Sequence, residues 1–278
     1  MGLKSLLNEQ YRKKTINYQI KRFFRFFKDK KDSIPVFVFG KQRSGTNMVI
    51  DIMRLHPDTE IFAEHTNNEA FLKYRIRNLD IIKGLIRNSK ECFVCFSPIM
   101  DSHRLENFMI QFPNGKFIWV YREYKDSANS AIRQFPGDTQ KIEDILSNRN
   151  ETRWQWFQDG ISSSTLEILK KIYSSELSEF DLASLTWWVR NRICIELKEE
   201  FLRRVIFVKY EDMAKEPQKT FQVLCEKLGM RFEQKSTRLV HNKSIAKNPY
   251  PELNSEVEKL CDGLMHQIDN YCLESVSD

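Results

Sequence analysis

Short apolar runs alternate along the chain with longer stretches in which apolar residues recur at helical spacing. Pro35-Val-Phe-Val-Phe39 is unbroken in its apolar character, the mark of a strand buried on both faces. Met48, Val49, Ile52 and Met53 then share one side of a helix from Thr46 to Leu55. Thr59 to Phe62 reads as a second, short strand, with helical stretches up to about Asn88. Cys92 to Phe96 is a third strand, Asp101 to Phe112 a helix, Lys116 to Tyr121 a fourth strand and Lys125 to Gln134 another helix. Val205 to Lys209 is the fifth strand, and Pro217 to Leu228 its helix, with Pro near the start and Gly229 at the stop. Between residues 138 and 200 the period is mostly helical, at Ile142–Leu146, Trp154–Phe157, Leu166–Ile172 and Asp181–Leu197. This segment reads as a helical insertion between strands 4 and 5, a lid or acceptor wall. A last helix spans about Leu253 to Tyr271. The alternation predicts one α/β domain over residues 33–278, a central parallel sheet covered by helices on both faces.

Composition narrows the classes. The longest apolar run, Ile34 to Phe39, is far short of the ~20 apolar residues of a membrane-spanning helix. The start of the chain lacks the apolar stretch and small-residue cleavage site of a secretory leader, so the expected location is cytoplasmic. The net charge of +6 is concentrated: residues 1–32 hold ten Lys or Arg against three acids, and the other 246 residues carry 34 bases and 35 acids. The basic character therefore belongs to an N-terminal helical arm rather than to the fold, which argues against a nucleic-acid partner. Within that arm Phe23, Phe24, Phe26 and Phe27 stand among Lys21, Arg22, Arg25 and Lys28. Such a helix either lies on an anionic membrane surface as a peripheral contact or packs its phenylalanines on the domain. Of the cysteines, Cys92 and Cys95 are close together, while Cys194, Cys225, Cys261 and Cys272 are too scattered to complete a zinc site. Cys92 and Cys95, placed in one strand, point to opposite faces; no metal is expected, and the six read as ordinary thiols.

Candidate chemistry gathers at two strand ends. Phe39-Gly-Lys-Gln-Arg-Ser-Gly-Thr-Asn47 joins the first strand to the first helix, where a parallel sheet opens a crevice and a helix start offers unpaired N–H groups to an anion. Gly45 permits a tight loop; Ser44, Thr46 and Asn47 add donors; Arg43 adds a fixed positive charge. A Walker loop would read G-x-x-x-x-G-K-[ST]; here Gly40 and Gly45 are one residue closer and Thr46 stands in place of the Lys, so triphosphate hydrolysis is disfavoured. At the end of the fourth strand Arg122 emerges, and Ser130 follows eight residues on in the next helix, able to converge on the same anion.

With these motifs the chain resembles the sulfotransferases that use 3′-phosphoadenosine 5′-phosphosulfate (PAPS), and the carbohydrate-type and bacterial members more than the small-phenol cytosolic ones. Arg43-Ser-Gly-Thr-Asn47, with Lys41 and Gln42 before it, is similar to the family's 5′-phosphosulfate loop. Arg122 and Ser130 match the Arg and Ser that hold the 3′-phosphate. Val208-Lys-Tyr-Glu-Asp-Met213 is similar to the segment after the family's last parallel strand. Lys243-Ser244-Ile-Ala-Lys247 resembles the basic loop that closes over the 3′-phosphate. The resemblance implies a P-loop-like fold, transfer of a sulfuryl group from PAPS to a hydroxyl of a small molecule or glycan, 3′-phosphoadenosine 5′-phosphate (PAP) as product, and no metal. It departs at Arg43, where cytosolic members carry Lys, and at Asn47, where they carry Thr or Ser.

For the proton acceptor, the resemblance points to the stretch after the first helix. In carbohydrate-type members a His-Pro-Asp turn, here His56-Pro-Asp58, is followed after a short strand by a Glu that takes the sugar proton. Glu64, at the expected edge of the second strand, leads; His65, with a ring that titrates near neutrality, follows, and His103 is third. Trp154, Trp156, Trp187 and Trp188 read as core at helical spacing. The competing readings are a kinase with a modified phosphate loop and a non-catalytic nucleotide-binding protein of the same fold.

Overall fold

The computed structural model describes residues 32–65, 68–137, 140–147, 154–238, 240 and 245–277. The strands are β1 (Ile34–Gly40), β2 (Thr59–Ala63), β3 (Phe71–Leu72), β4 (Arg75–Ile76), β5 (Phe93–Ser97), β6 (Lys116–Tyr121) and β7 (Val205–Lys209). Five form one sheet in the order β2-β5-β1-β6-β7, every neighbouring pair parallel. The fourth and fifth strands expected from the sequence are thus β6 and β7. The main helices are α1 (Thr46–Leu55), α2 (Leu79–Asn88), α3 (Leu105–Gln111), α4 (Tyr124–Gln134), α5 (Gln140–Leu146), α6 (Ser163–Ile172), α7 (Glu179–Ile195), α8 (Tyr210–Lys215), α9 (Pro217–Leu228) and α10 (Ser255–Ser277).

The two faces of the sheet differ in chemistry because strand side chains alternate. Phe62, Phe96, Phe37 and Phe117 lie in register across four strands. Their rings stack at centroid separations of 5.4, 5.3 and 5.7 Å, each contact worth about 0.5–1.5 kcal/mol beyond the area it buries. Phe108 and Phe112 close on this row, each 4.9 Å from Phe37. The opposite face is aliphatic: Val36, Val38, Ile118, Val120 and Val208 meet Val49, Ile52 and Met53 of α1 and Phe221 and Leu224 of α9. Helices thus cover both faces, as the apolar runs predict.

The insertion after β6 joins the aromatic-face core rather than standing apart. Ile142, Phe157, Leu169, Leu185, Trp187 and Trp188 all belong to it. Ser178 starts α7 in a reciprocal capping box with Asp181, and the helix then runs buried on every side, carrying Ser184, Thr186, Arg190 and Asn191 inside with it. Trp119 Nε1 donates to Asn191 Oδ1 at 2.9 Å, tying α7 to the sheet.

Several expectations are corrected. The helical reading from Phe62 to Asn88 holds only over α2; before it stands a β3–β4 hairpin. Its two turn residues, Lys73 and Tyr74, have φ of 50° and 65°. They supply the left-handed turn without the Asn-Gly pair that would have announced it. The helix expected from Asp101 opens instead as a tight turn over Ile99–Arg104, with Asp101 off helical geometry, before α3. Cys92 precedes β5, so strand alternation does not separate it from Cys95, and both pack on the aliphatic face. None of the six cysteines is in a disulfide. No helix among the described residues is long and apolar enough to cross a membrane. The basic arm expected over residues 1–32 lies outside the described residues except for Asp32.

Candidate active site

β1 brings the chain to the sheet's C-terminal edge at Gly40, where φ is 144° and an added Cβ would stand 2.3 Å from the Val120 carbonyl oxygen. Glycine alone lets the loop leave this close to β6. The loop then folds on itself, with Ser44 N–H donating to Lys41 O at 3.1 Å. Gly45, with φ of 95°, begins α1, and a Cβ there would lie 2.2 Å from Tyr210 Cδ2. No side chain caps α1, and its first turn holds no acid. Its opening N–H groups and the positive end of its dipole are thus left to an anion. The Ser44 hydroxyl is buried and has no hydrogen-bond partner among the described residues, as expected of a donor awaiting a ligand oxygen.

A second arm of the site comes from β6 and α4. Arg43 Nε donates to Ser130 Oγ at 2.9 Å, and Lys41 Nζ to Ser127 Oγ at 3.2 Å, so two segments nearly ninety positions apart meet here. The Arg122 guanidinium carbon lies 4.5 Å over the Tyr210 ring, the same ring that abuts Gly45. Its NH2 pairs with Asp126 Oδ2 at 3.1 Å, and its Nε faces Glu211 Oε1 at 3.8 Å. Trp187 Nε1 donates to the Arg122 carbonyl at 3.0 Å, fixing the backbone that carries it. Burial and the nearby charges of Arg122 and Arg133 lower the pKa of Arg43. This is the electrostatic signature of a site that gains by taking up negative charge. Asp126 also accepts from Ala246 N at 3.0 Å and Tyr250 OH at 3.2 Å, which moors the loop ending in Lys247 to the partner of Arg122.

Of the sequence-derived donor residues, the structure brings together Lys41, Arg43, Ser44, Gly45, Arg122 and Ser130. Gln42 is half-buried beside them, Thr46 is buried, and Asn47 and Lys247 are exposed. Lys243 and Ser244 lie outside the described residues.

The other side of β1 holds the proton-acceptor candidates. Glu64 follows β2 directly and is 8% exposed. Its Oε2 accepts from Met100 N at 3.0 Å. Burial pushes its pKa up to about 8, against the pull of the Met100 and Ile99 amides and of the Arg190 charge. His65 is exposed. His103 stands in the turn after β5, its pKa lowered to about 4 by burial and by Arg190, so the ring is neutral. Ser102 Oγ lies 2.7 Å from the Ile99 carbonyl, to which it donates, and 3.2 Å from Gly40 O, bringing this turn against the donor loop. Sequence reasoning missed Arg190, Asp101, Arg75 and the spacer role of Tyr210. A lone Arg inside Leu185-Thr-Trp-Trp-Val-Arg190 was the available signal, since an arginine in so apolar a run is buried with a purpose.

A family model described as the sulfotransferase domain matches residues 33–252. The chain belongs to the sulfotransferase family. This sulfotransferase is similar to a sulfotransferase domain from the curacin biosynthetic pathway, at 15% identity over 85% of this chain and 99% of that one, with a TM-score of 0.49. It is similar also to a sulfotransferase from Alicyclobacillus acidocaldarius, at 16% identity over 87% and 95% of the two chains, TM-score 0.48. A mouse sulfotransferase complexed with PAP matches at 16% identity over 81% of this chain and 70% of that chain, TM-score 0.41. No curated protein matches the chain.

Proposed function

We propose that this sulfotransferase takes its sulfuryl group from PAPS and delivers it to a hydroxyl of a small molecule or glycan by in-line displacement. The observation that carries the reading is the shared Tyr210 ring, which abuts the Gly45 turn and bears the Arg122 guanidinium. It sets two cationic segments beside one another at the sheet's C-terminal edge, which supports one donor reaching both.

In this reading the loop from Lys41 to Asn47 receives the 5′-phosphosulfate, with Ser44 Oγ and the opening amides of α1 as donors. Arg43 neutralises the charge that grows on the departing phosphate. Arg122 and Ser130, with Lys243, Ser244 and Lys247 from the late loop, take the 3′-phosphate. As the acceptor oxygen bonds to sulfur, the bond from sulfur to the 5′-phosphate oxygen breaks and the hydroxyl proton passes to Glu64. A carboxylate whose pKa lies near 8 is matched to that task close to neutral pH. The work asked of the protein is positioning and charge stabilisation.

Titration calorimetry with PAP tests the donor site. Wild type should bind it, and Arg122→Ala should weaken binding by about 100-fold, the loss of a charge-assisted contact and of the pairing that orders Asp126. Unchanged affinity in a folded Arg122→Ala protein overturns the assignment. Sulfated product formed from PAPS in an acceptor screen separates an enzyme from a protein that only binds nucleotide.

A further inference from the structure

Arg190 of α7 is fully buried, at 0% exposure. Trp156 and Phe157 flank its guanidinium, with ring centroids 5.2 and 5.9 Å from the guanidinium carbon. Its NH2 donates to the Ile99 carbonyl at 3.0 Å. Its Nε and NH1 have no hydrogen-bond partner among the described residues. An arginine kept dry with two idle nitrogens costs stability, so it calls for a role that packing does not supply. The other end of the same peptide group is engaged by Glu64, whose Oε2 accepts from Met100 N at 3.0 Å. There is no cis peptide bond in the chain's described residues, and in a trans peptide the C=O and N–H point opposite ways. Cation and carboxylate therefore address one amide from its two sides.

We propose that Arg190 is a positioning residue for Glu64, gripping the Ile99–Met100 peptide so that its N–H favours the carboxylate over the protonated acid and aims it at the acceptor crevice. The proposal rests on the reading of Glu64 as proton acceptor. A charged donor on the carbonyl polarises the amide and strengthens its N–H toward an anion. The guanidinium charge adds to this through a dry interior. The surrounding charges leave that task to Arg190. Asp101 opposes ionisation of Glu64, and its own carboxylate is taken by Arg75 Nε and NH2 at 3.0 and 2.8 Å and by Ile76 N at 2.8 Å. Arg104 NH1 lies 3.6 Å from the same Asp101 Oδ1 that Arg75 binds. His103, which also feels Asp159, is neutral. Arg190 itself keeps its charge at neutral pH, with a pKa lowered by burial to about 10.

The test follows the isotope-labelled carboxyl signal of Glu64 by NMR through a pH titration of the full chain, with Glu64→Gln identifying the signal. In Arg190→Met, folded by circular dichroism and a cooperative melt, the proton affinity of Glu64 should rise about tenfold, and Arg190→Lys should restore most of the difference. An unmoved midpoint in Arg190→Met overturns the proposal. Should that variant not fold, the wild type decides: the Met100 amide and Arg190 Nε signals must both shift with the Glu64 midpoint, and an Arg190 signal indifferent to it overturns the proposal. The acid limb of kcat/KM should move in step with the Glu64 midpoint. Full turnover in Glu64→Gln would remove the proton-acceptor reading, while the carboxyl titration would still judge the hold of Arg190 on Glu64.

Discussion

The two sides of β1 solve opposite electrostatic problems. Toward β6 and β7 the site is built from contiguous loops: Arg122 and Arg133 both bear on the charge of Arg43, and an uncapped helix start adds partial positive charge. Toward β5 and β2 the charges are balanced, with buried Glu64, Asp101 and Arg190 and half-buried Arg75 meeting around one turn. In the proposed function the first side is completed by an anion. The second, in the same reading, instead controls where a proton sits. On that reading binding and proton transfer should be separable, each open to damage without the other.

Glu64→Gln should show this most strongly. Removal of a positioned general base costs about 10²- to 10⁴-fold in rate, so kcat in a sulfuryl-transfer assay should fall within that range while PAP affinity by calorimetry stays at the wild-type value. Weakened PAP binding would show that the two sides are one site.

The same residue makes stability depend on pH. Folding raises the Glu64 pKa from 4.5 to about 8, so the native state holds this proton more tightly than the unfolded chain. Its contribution is fully present below the unfolded value and is lost as pH rises through the folded one. His103 works the other way in acid, since folding lowers its pKa to about 4. Comparing wild type with Glu64→Gln at each pH removes the histidine from the difference. In urea titrations the variant should gain on the wild type between about pH 5 and about pH 9, by on the order of a few kcal/mol. A flat difference would mean that Glu64 is not desolvated.

On the donor side, Gly45→Ala should weaken PAP binding by about 10- to 100-fold, the 1–3 kcal/mol that overpacking costs, because the new Cβ would lie 2.2 Å from Tyr210. The fold should survive, since the new Cβ meets one side chain and no backbone. Normal affinity would show that Tyr210 is not the spacer between Gly45 and Arg122.

This contrast also governs what could be read from the sequence. Four of the parallel strands were legible as apolar runs largely buried on both faces, and the edge strand β2, with half-buried Glu60 and Ile61 in it, only as a short one. The donor loop was legible because one short segment supplies most of its groups. Glu64 was legible through family resemblance and its place after β2. Arg190 was not, because its partner is a backbone amide 91 positions away, and no spacing rule links them. The hairpin was hidden for a local reason: Lys73 and Tyr74 occupy turn positions that other residues fill at lower cost.

That cost supplies the smallest effect. Each non-glycine residue held in the left-handed region gives up about 1 kcal/mol, and Tyr74, 53% exposed, has little packing to offset it. Tyr74→Gly should therefore raise stability to urea by up to about 1 kcal/mol, less what the glycine's freer unfolded chain takes back. Turnover should change little, because the tie from the hairpin to the turn after β5 runs through Arg75 and the Ile76 amide to Asp101 and not through the tip. A clear loss of stability would mean that the Tyr74 ring is held by contacts worth more than the strain. A loss of turnover with stability intact would extend the acceptor side of the site out to the hairpin tip.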